Sequence, residues 1–143
     1  MELSKNSHDY LQKSQSCLVD KNYEEVLKNS IRGVQIAQNP EIVIKFFDLV
    51  VKSEIERKNL SSRSKKKLAD DEDFIKDVTP IISQLMNLST SPRILLDVAK
   101  KLKSAGFLKE AQNAARKALL NAQGRNQIFP AFFFDIILIN KIF

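Results

Sequence analysis

The segment "LLDVAKKLKSAGFLKEAQNAARKALLNAQG", residues 95–124, has an apolar residue at every third or fourth position on both sides of a break at Ala105-Gly106. This spacing places the apolar side chains on one face of each of two helices. Gly106 at the break favours a turn, and Gly124 favours the end of the second helix. The segment therefore predicts two helices that pack antiparallel against each other.

Alanine occupies the positions where these two helices would cross. Ala99 lies on the first helix, and Ala111 and Ala118 lie on the second. Two antiparallel helices approach each other closely only where the side chains at the crossing are small. The alanines therefore predict a tight helix pair.

Four more helices are expected before this pair. Apolar spacing predicts helices over residues 7–19, 23–37, 40–59 and 74–88. The third and fifth helices are expected to begin at prolines, where the missing N–H costs nothing. Pro80 either kinks the fourth helix or starts a new one that Thr79 caps. With only 3 Gly and 4 Pro in 143 residues, the chain has little turn material for many short strands. The expected fold is all-α, with about six helices in antiparallel pairs.

Composition sets the broad class of protein. A length of 143 residues is enough for one domain with one hydrophobic core. The net charge of +6 is compatible with binding to an acidic partner, nucleic acid or an anionic membrane, or with an ordinary solvated surface. Cys17 is the only cysteine, so an internal disulfide is excluded. The polar N-terminal residues contain no visible signal peptide, and a cytoplasmic location is expected.

The last pair of helices, residues 95–124, resembles the tetratricopeptide repeat. The 34-residue unit of that repeat also has large and small apolar residues at fixed positions on two antiparallel helices. A second copy of the pattern is visible in Tyr23, Val26 and Gly33. The equivalent positions Val26 and Ala111 are separated by about 17 residues more than two 34-residue repeats would give. The expected domain is residues 1–124, a short stack of about 2.5–3 repeats with an irregular middle unit containing a loop at 58–73. An unrelated helical bundle is the alternative.

The resemblance implies an interaction scaffold whose first helices line a concave groove for a peptide segment. The family's groove positions that are basic in this chain are Lys45, Lys52, Arg93, Lys100 and Lys103. A protein or peptide partner with acidic residues or a free carboxylate would complement them. The alternative is that these cations form the ordinary solvated face of amphipathic helices.

Other kinds of site find little support in the sequence. His8 is the only histidine, so neither a zinc site nor a nucleophilic catalytic group can be assembled, and we expect no enzyme activity, metal or cofactor. The basic run at residues 63–67 has no interleaved aromatic residue and is followed by acidic residues, which disfavours nucleic-acid binding.

The C-terminal segment, residues 125–143, is mostly apolar: from residue 128 onward it is apolar on every side, interrupted only by Asp135, Asn140 and Lys141. Its apolar run falls short of the ~20 residues that span a bilayer. It could cap the last helix pair, offer surface for a membrane, a larger assembly or self-association, or mark the end of a fragment. The alternative function is therefore an auxiliary subunit that docks through this segment.

Overall fold

A computed structural model of the chain describes residues 6–61 and 67–124. Within these ranges the regular structure is helical, with a short 3₁₀ turn over residues 67–70 and no strand. The α-helices are α1 (Ser7–Val19), α2 (Tyr23–Ile36), α3 (Pro40–Lys58), α4 (Glu72–Leu88), α5 (Pro92–Ser104) and α6 (Leu108–Gly124). The all-α fold predicted from apolar spacing is confirmed.

Local sequence accounts for where the helices begin. Asn6 and Asp9 form a reciprocal capping box at α1, in which each side chain accepts a hydrogen bond from the other residue's backbone N–H. At α3 the Asn39 side chain accepts from the Ile42 N–H at 3.1 Å. Pro40 and Pro92 occupy the first positions of α3 and α5, as the sequence predicts.

Pro80 lies inside α4, which continues through it as a single helix. Of the two sequence interpretations, the new helix capped by Thr79 is therefore wrong. The Thr79 hydroxyl instead donates to the Ile75 carbonyl at 2.6 Å, one turn back in the same helix. Pro80 is exposed, so water can reach the carbonyl that loses its backbone partner.

The helices stack in the manner of a helical repeat. Each helix packs against its neighbour within the pairs α1–α2, α3–α4 and α5–α6. In addition, α1 contacts α3, α2 contacts α4, and α3 contacts α5. First helices therefore lie beside first helices and second helices beside second helices, which is the arrangement of stacked pairs in a solenoid.

A continuous apolar cluster joins the pairs and extends from Leu11 in α1 to Ala122 in α6. Phe107, in the turn between α5 and α6, connects the later pairs. Its ring meets Phe47 of α3 edge-on with centroids 6.4 Å apart, and lies 6.3 Å from the ring of Phe74 of α4. This turn residue therefore holds α6 against the α3–α4 pair.

The α5–α6 crossing is lined by alanine. Ala99 on α5 is fully buried, and on α6 a single face of alanines has no solvent exposure. The members of this face are Ala111, Ala114, Ala115, Ala118 and Ala122. The alanines predicted for the crossing, Ala99, Ala111 and Ala118, are all buried. Side chains of this size permit a close approach of the two helices.

A glycine has the same role between α2 and α3. Gly33 is buried against the ring of Phe46, which is itself fully buried. A Cβ atom at position 33 would clash with the Phe46 Cζ atom, far inside van der Waals contact. The ring of Phe46 therefore fills space that only a glycine leaves open.

The connection between α3 and α4 contributes a residue to the core. Leu68, within the loop expected at 58–73, is completely buried in the core cluster. A single apolar residue between charged runs has no periodicity that would indicate its burial in the sequence. Residues 62–66 of the basic run and the apolar segment 125–143 lie outside the described residues.

We expect the substitution Ala111→Leu to destabilise the fold by ~1–3 kcal/mol, because the larger side chain overpacks the α5–α6 crossing. Urea denaturation monitored by circular dichroism measures the free energy of unfolding. Asn113→Leu, at an exposed position on the same helix, is the control and should change it by less than ~0.5 kcal/mol. Equal stability of the Ala111→Leu variant and the unmodified chain would refute the crossing.

We also expect Gly33→Ala to destabilise the fold by roughly 1–2 kcal/mol, although alanine is the better helix former by ~1 kcal/mol. The cost comes from the clash with Phe46, so it should be smaller in a Phe46→Leu background. A double-mutant cycle from four urea titrations measures this coupling. Additive effects of the two substitutions would show that the ring and the glycine do not constrain each other.

Candidate functional site

The first helices of the pairs, α1, α3 and α5, carry the groove positions inferred from the sequence. Between α3 and α5 lies an open cleft of about 210 Å³. Its α3 side is formed by Phe47, Asp48 and Val51, and its α5 side by Asp97, Lys100, Lys101 and Ser104. Phe47 and Val51 are buried, so the cleft has an apolar base and charged walls.

An ion pair links the two walls. The Lys101 ammonium donates to Asp48 Oδ2 at 2.9 Å, and both side chains are partly exposed. An exposed pair of this kind contributes about 0–1 kcal/mol to stability. It joins α3 to α5 directly, since its partners are 53 residues apart in the chain.

Of the five predicted groove cations, Lys100 lines the cleft directly. Lys45 and Lys52 are exposed on α3 and flank Asp48 at spacings of three and four residues, so the three share one helical face. Arg93 is exposed on α5 and shares a face with Lys100. Lys103 is half-buried and does not line the cleft.

The charge of the cleft is more balanced than the five predicted cations suggest. Asp48 and Asp97 lie in its walls beside Lys100 and Lys101. None of Asp48, Asp97 and Lys101 is among the groove residues predicted from the sequence, because that prediction covers only the basic groove positions of the family and Lys101 lies outside them. The excess of positive charge lies at the margins of the cleft rather than in its walls.

Three of the marginal cations are available to a partner. Among residues 6–61 and 67–124, no side chain pairs with Lys45, Lys52 or Arg93. All three are exposed, so a ligand can reach them without breaking an internal ion pair. They are the members of the predicted set with the clearest capacity to bind an anionic group.

A second polar cluster lies where α3 ends. Glu54 is buried, and its two carboxylate oxygens accept from Arg57 Nε at 2.6 Å and from Arg57 Nη2 at 3.0 Å. Lys58 lies 3.5 Å from Glu54 and also donates to Asp71, the residue that caps α4. These bonds fasten the end of α3 to the start of α4.

Opposing effects act on the pKa of Glu54. Burial by itself would raise this pKa, but the hydrogen bonds from Arg57 and the charges of Arg57 and Lys58 outweigh burial and hold it below its ordinary value of 4.5. Glu54 is therefore ionised at neutral pH. Its folded-state pKa is depressed, so the carboxylate stabilises the fold above pH 4.5 and loses this effect as the pH falls through the lower folded-state value.

Metal and membrane sites were sought in residues 6–61 and 67–124. Within these ranges, no group of three or more His, Cys, Asp or Glu side chains is arranged to hold a metal ion. None of the helices in these ranges combines the length and apolar character needed to cross a membrane.

Comparisons with known protein families, with curated proteins and with solved structures yield no match for this chain. The function must therefore be inferred from the geometry and charge of its own surfaces.

We expect Glu54→Gln to lower the free energy of unfolding at pH 7 by about 1–3 kcal/mol, because it removes charge-assisted hydrogen bonds to Arg57. The difference between the variant and the unmodified chain should be smaller at pH 3 than at pH 7, because the depressed pKa of Glu54 contributes less stability once the pH falls below the ordinary value of 4.5. Urea titrations at the two pH values measure it. Asp20→Asn, at an exposed position, is the control; a Glu54→Gln effect of the same size at both pH values would contradict the assignment.

Proposed function

We propose that this chain is a non-enzymatic interaction scaffold that binds a peptide segment of a partner protein along the α3–α5 cleft. The observation that carries the proposal is a set of three exposed cations beside a cleft with an apolar base, Lys45, Lys52 and Arg93, which pair with no side chain in the described part of the chain. Clefts between stacked first helices are the usual peptide sites of helical repeat scaffolds.

The charge distribution favours a particular kind of segment. Carboxylates of the partner, from Asp, Glu or a chain terminus, would pair with Lys45 and Lys52 on one margin and with Arg93 on the other. The middle of the segment would face Asp48 and Asp97 in the cleft walls, where an additional carboxylate would be repelled. The preferred ligand is therefore acidic at its ends and apolar or neutral between them.

Affinity from these contacts must be collective. An exposed ion pair contributes only about 0–1 kcal/mol, and salt screens it. Phe47 and Val51 are already buried and offer a ligand little apolar surface. Three such pairs would therefore give a weak interaction whose strength falls with ionic strength. A fall in affinity with ionic strength would distinguish a charged cleft from a purely apolar groove.

The stacking of α1 on α3 and α3 on α5 supports the resemblance to tetratricopeptide repeats as part of this proposal. We also propose a cytoplasmic location, because the single cysteine of the chain rules out an internal disulfide.

The test begins with a random-peptide display library selected on the full chain. We expect the enriched peptides to carry terminal or flanking carboxylates. Fluorescence polarisation with one synthetic, labelled peptide then measures affinity at low and high salt. The double variant Lys45→Glu/Lys52→Glu should weaken binding roughly tenfold or more, since each reversal replaces an attraction with a repulsion.

The control variant is Lys109→Glu/Arg116→Glu, which changes the net charge equally at exposed positions on α6. It should weaken binding less than about twofold at physiological salt, where the screening length is ~8 Å. Circular dichroism confirms that both variants remain folded. Equal weakening by the two variants would show a diffuse electrostatic field, and the cleft assignment would be rejected.

A further inference from the structure

A larger pocket opens on another side of α3, bounded by α2, α3 and α4. It has a volume of about 380 Å³ and shares no residue with the α3–α5 cleft. This volume falls within the range of ~300–1,000 Å³ typical of small-ligand sites. Buried Val50 and Phe74 form its base, and half-buried Tyr23 and Leu27 form one wall.

The charged groups of this pocket are predominantly acidic. Glu24, Glu54, Asp73 and Asp77 supply four carboxylates against a single guanidinium, that of Arg57. The whole chain, in contrast, has a net charge of +6. A negative pocket on a positive protein attracts cations to one place on the surface.

The one cationic side chain among the described residues that line the pocket, Arg57, already binds a carboxylate of the pocket. Arg57 directs two nitrogen donors to Glu54, and this hydrogen bonding is the main reason that the pKa of Arg57 is raised, with a smaller contribution from the charge of Asp77. Glu24 lies 3.4 Å from Lys28, and Glu54 also lies 3.5 Å from Lys58. The carboxylates of Asp73 and Asp77 form no ion pair or hydrogen bond with any described residue.

Asp73 and Asp77 are four residues apart on α4, so the two like charges are neighbours on one helical face. The two charges of such a pair repel each other, and a cation placed between the two carboxylates would reverse the sign of this interaction. The half-buried side chains of Tyr23 and Leu27 give such a cation apolar surface for a hydrocarbon stem. A charged head on an aliphatic chain is the chemistry of a lysine side chain.

We propose that the pocket between α2, α3 and α4 binds the ammonium group of a lysine side chain presented by a partner protein. The stem lies along Tyr23 and Leu27, and the ammonium donates to Asp73 and Asp77. The site is separate from the α3–α5 cleft, so either proposal can fail without the other.

The experiment uses the full chain, labelled with ¹⁵N, titrated with Nα-acetyl-lysine N-methylamide and followed by NMR. We expect saturable shifts of amide signals from Tyr23, Leu27 and residues 73–77, with a dissociation constant on the order of millimolar for so small a probe. The norleucine analogue has the same stem without the amine and should produce no saturable shift. Equal shifts with both probes, or none with the lysine probe, would overturn the proposal.

The double variant Asp73→Asn/Asp77→Asn should weaken binding of the lysine probe at least about fivefold. The control Asp20→Asn/Glu41→Gln removes two exposed carboxylates elsewhere and should leave the affinity within about twofold. Undiminished binding by the first variant would reject the site. If that variant does not fold, the comparison of lysine with norleucine on the unmodified chain remains decisive.

A last arm distinguishes a protein side chain from a free diamine. Cadaverine presents the same ammonium and stem with a second cation in place of the peptide backbone. We expect it to bind within about tenfold of the lysine probe. Much tighter binding of cadaverine would overturn the assignment to a partner protein in favour of a small polyamine.

Discussion

Close approach of neighbouring helices is the constraint on which this structure depends. Alanines along one face of α6 let α5 lie against it, and Gly33 leaves room for the ring of Phe46 on the next helix. Both proposed binding sites are gaps between helices, so their widths follow from these separations. A larger residue at either contact would shift the walls of a site without touching the site itself.

Helix ends and small-residue contacts follow from short-range rules, which is why the sequence predicts them well. Proline at the first position of α3 and α5, and alanine at the α5–α6 crossing, are local chemistry. Leu68 has no periodic neighbours, so nothing in the sequence indicates its burial. The pairing of Lys101 with Asp48 was equally inaccessible, because it depends on how far α5 is displaced along α3.

The candidate cleft was therefore predictable in part. Helical spacing places Lys45 and Lys52 on one face of α3, and Arg93 and Lys100 on one face of α5, and the structure has these side chains exposed. Helical spacing does not identify which residues form the walls of a gap between two helices. The acidic pocket was missed for the same reason: its carboxylates come from three helices, and only packing brings them together.

Hydrogen bonds from side chains of α6 to backbone carbonyls attach it to the end of the preceding pair. Lys117 donates to the Met86 carbonyl at 2.6 Å, and Asn121 donates to the Thr90 carbonyl at 2.8 Å. Every residue type has a backbone carbonyl, so neither bond depends on which amino acid occupies position 86 or 90. Selection to keep these bonds acts on positions 117 and 121 alone, and the partner positions can diverge during evolution while α6 stays in place.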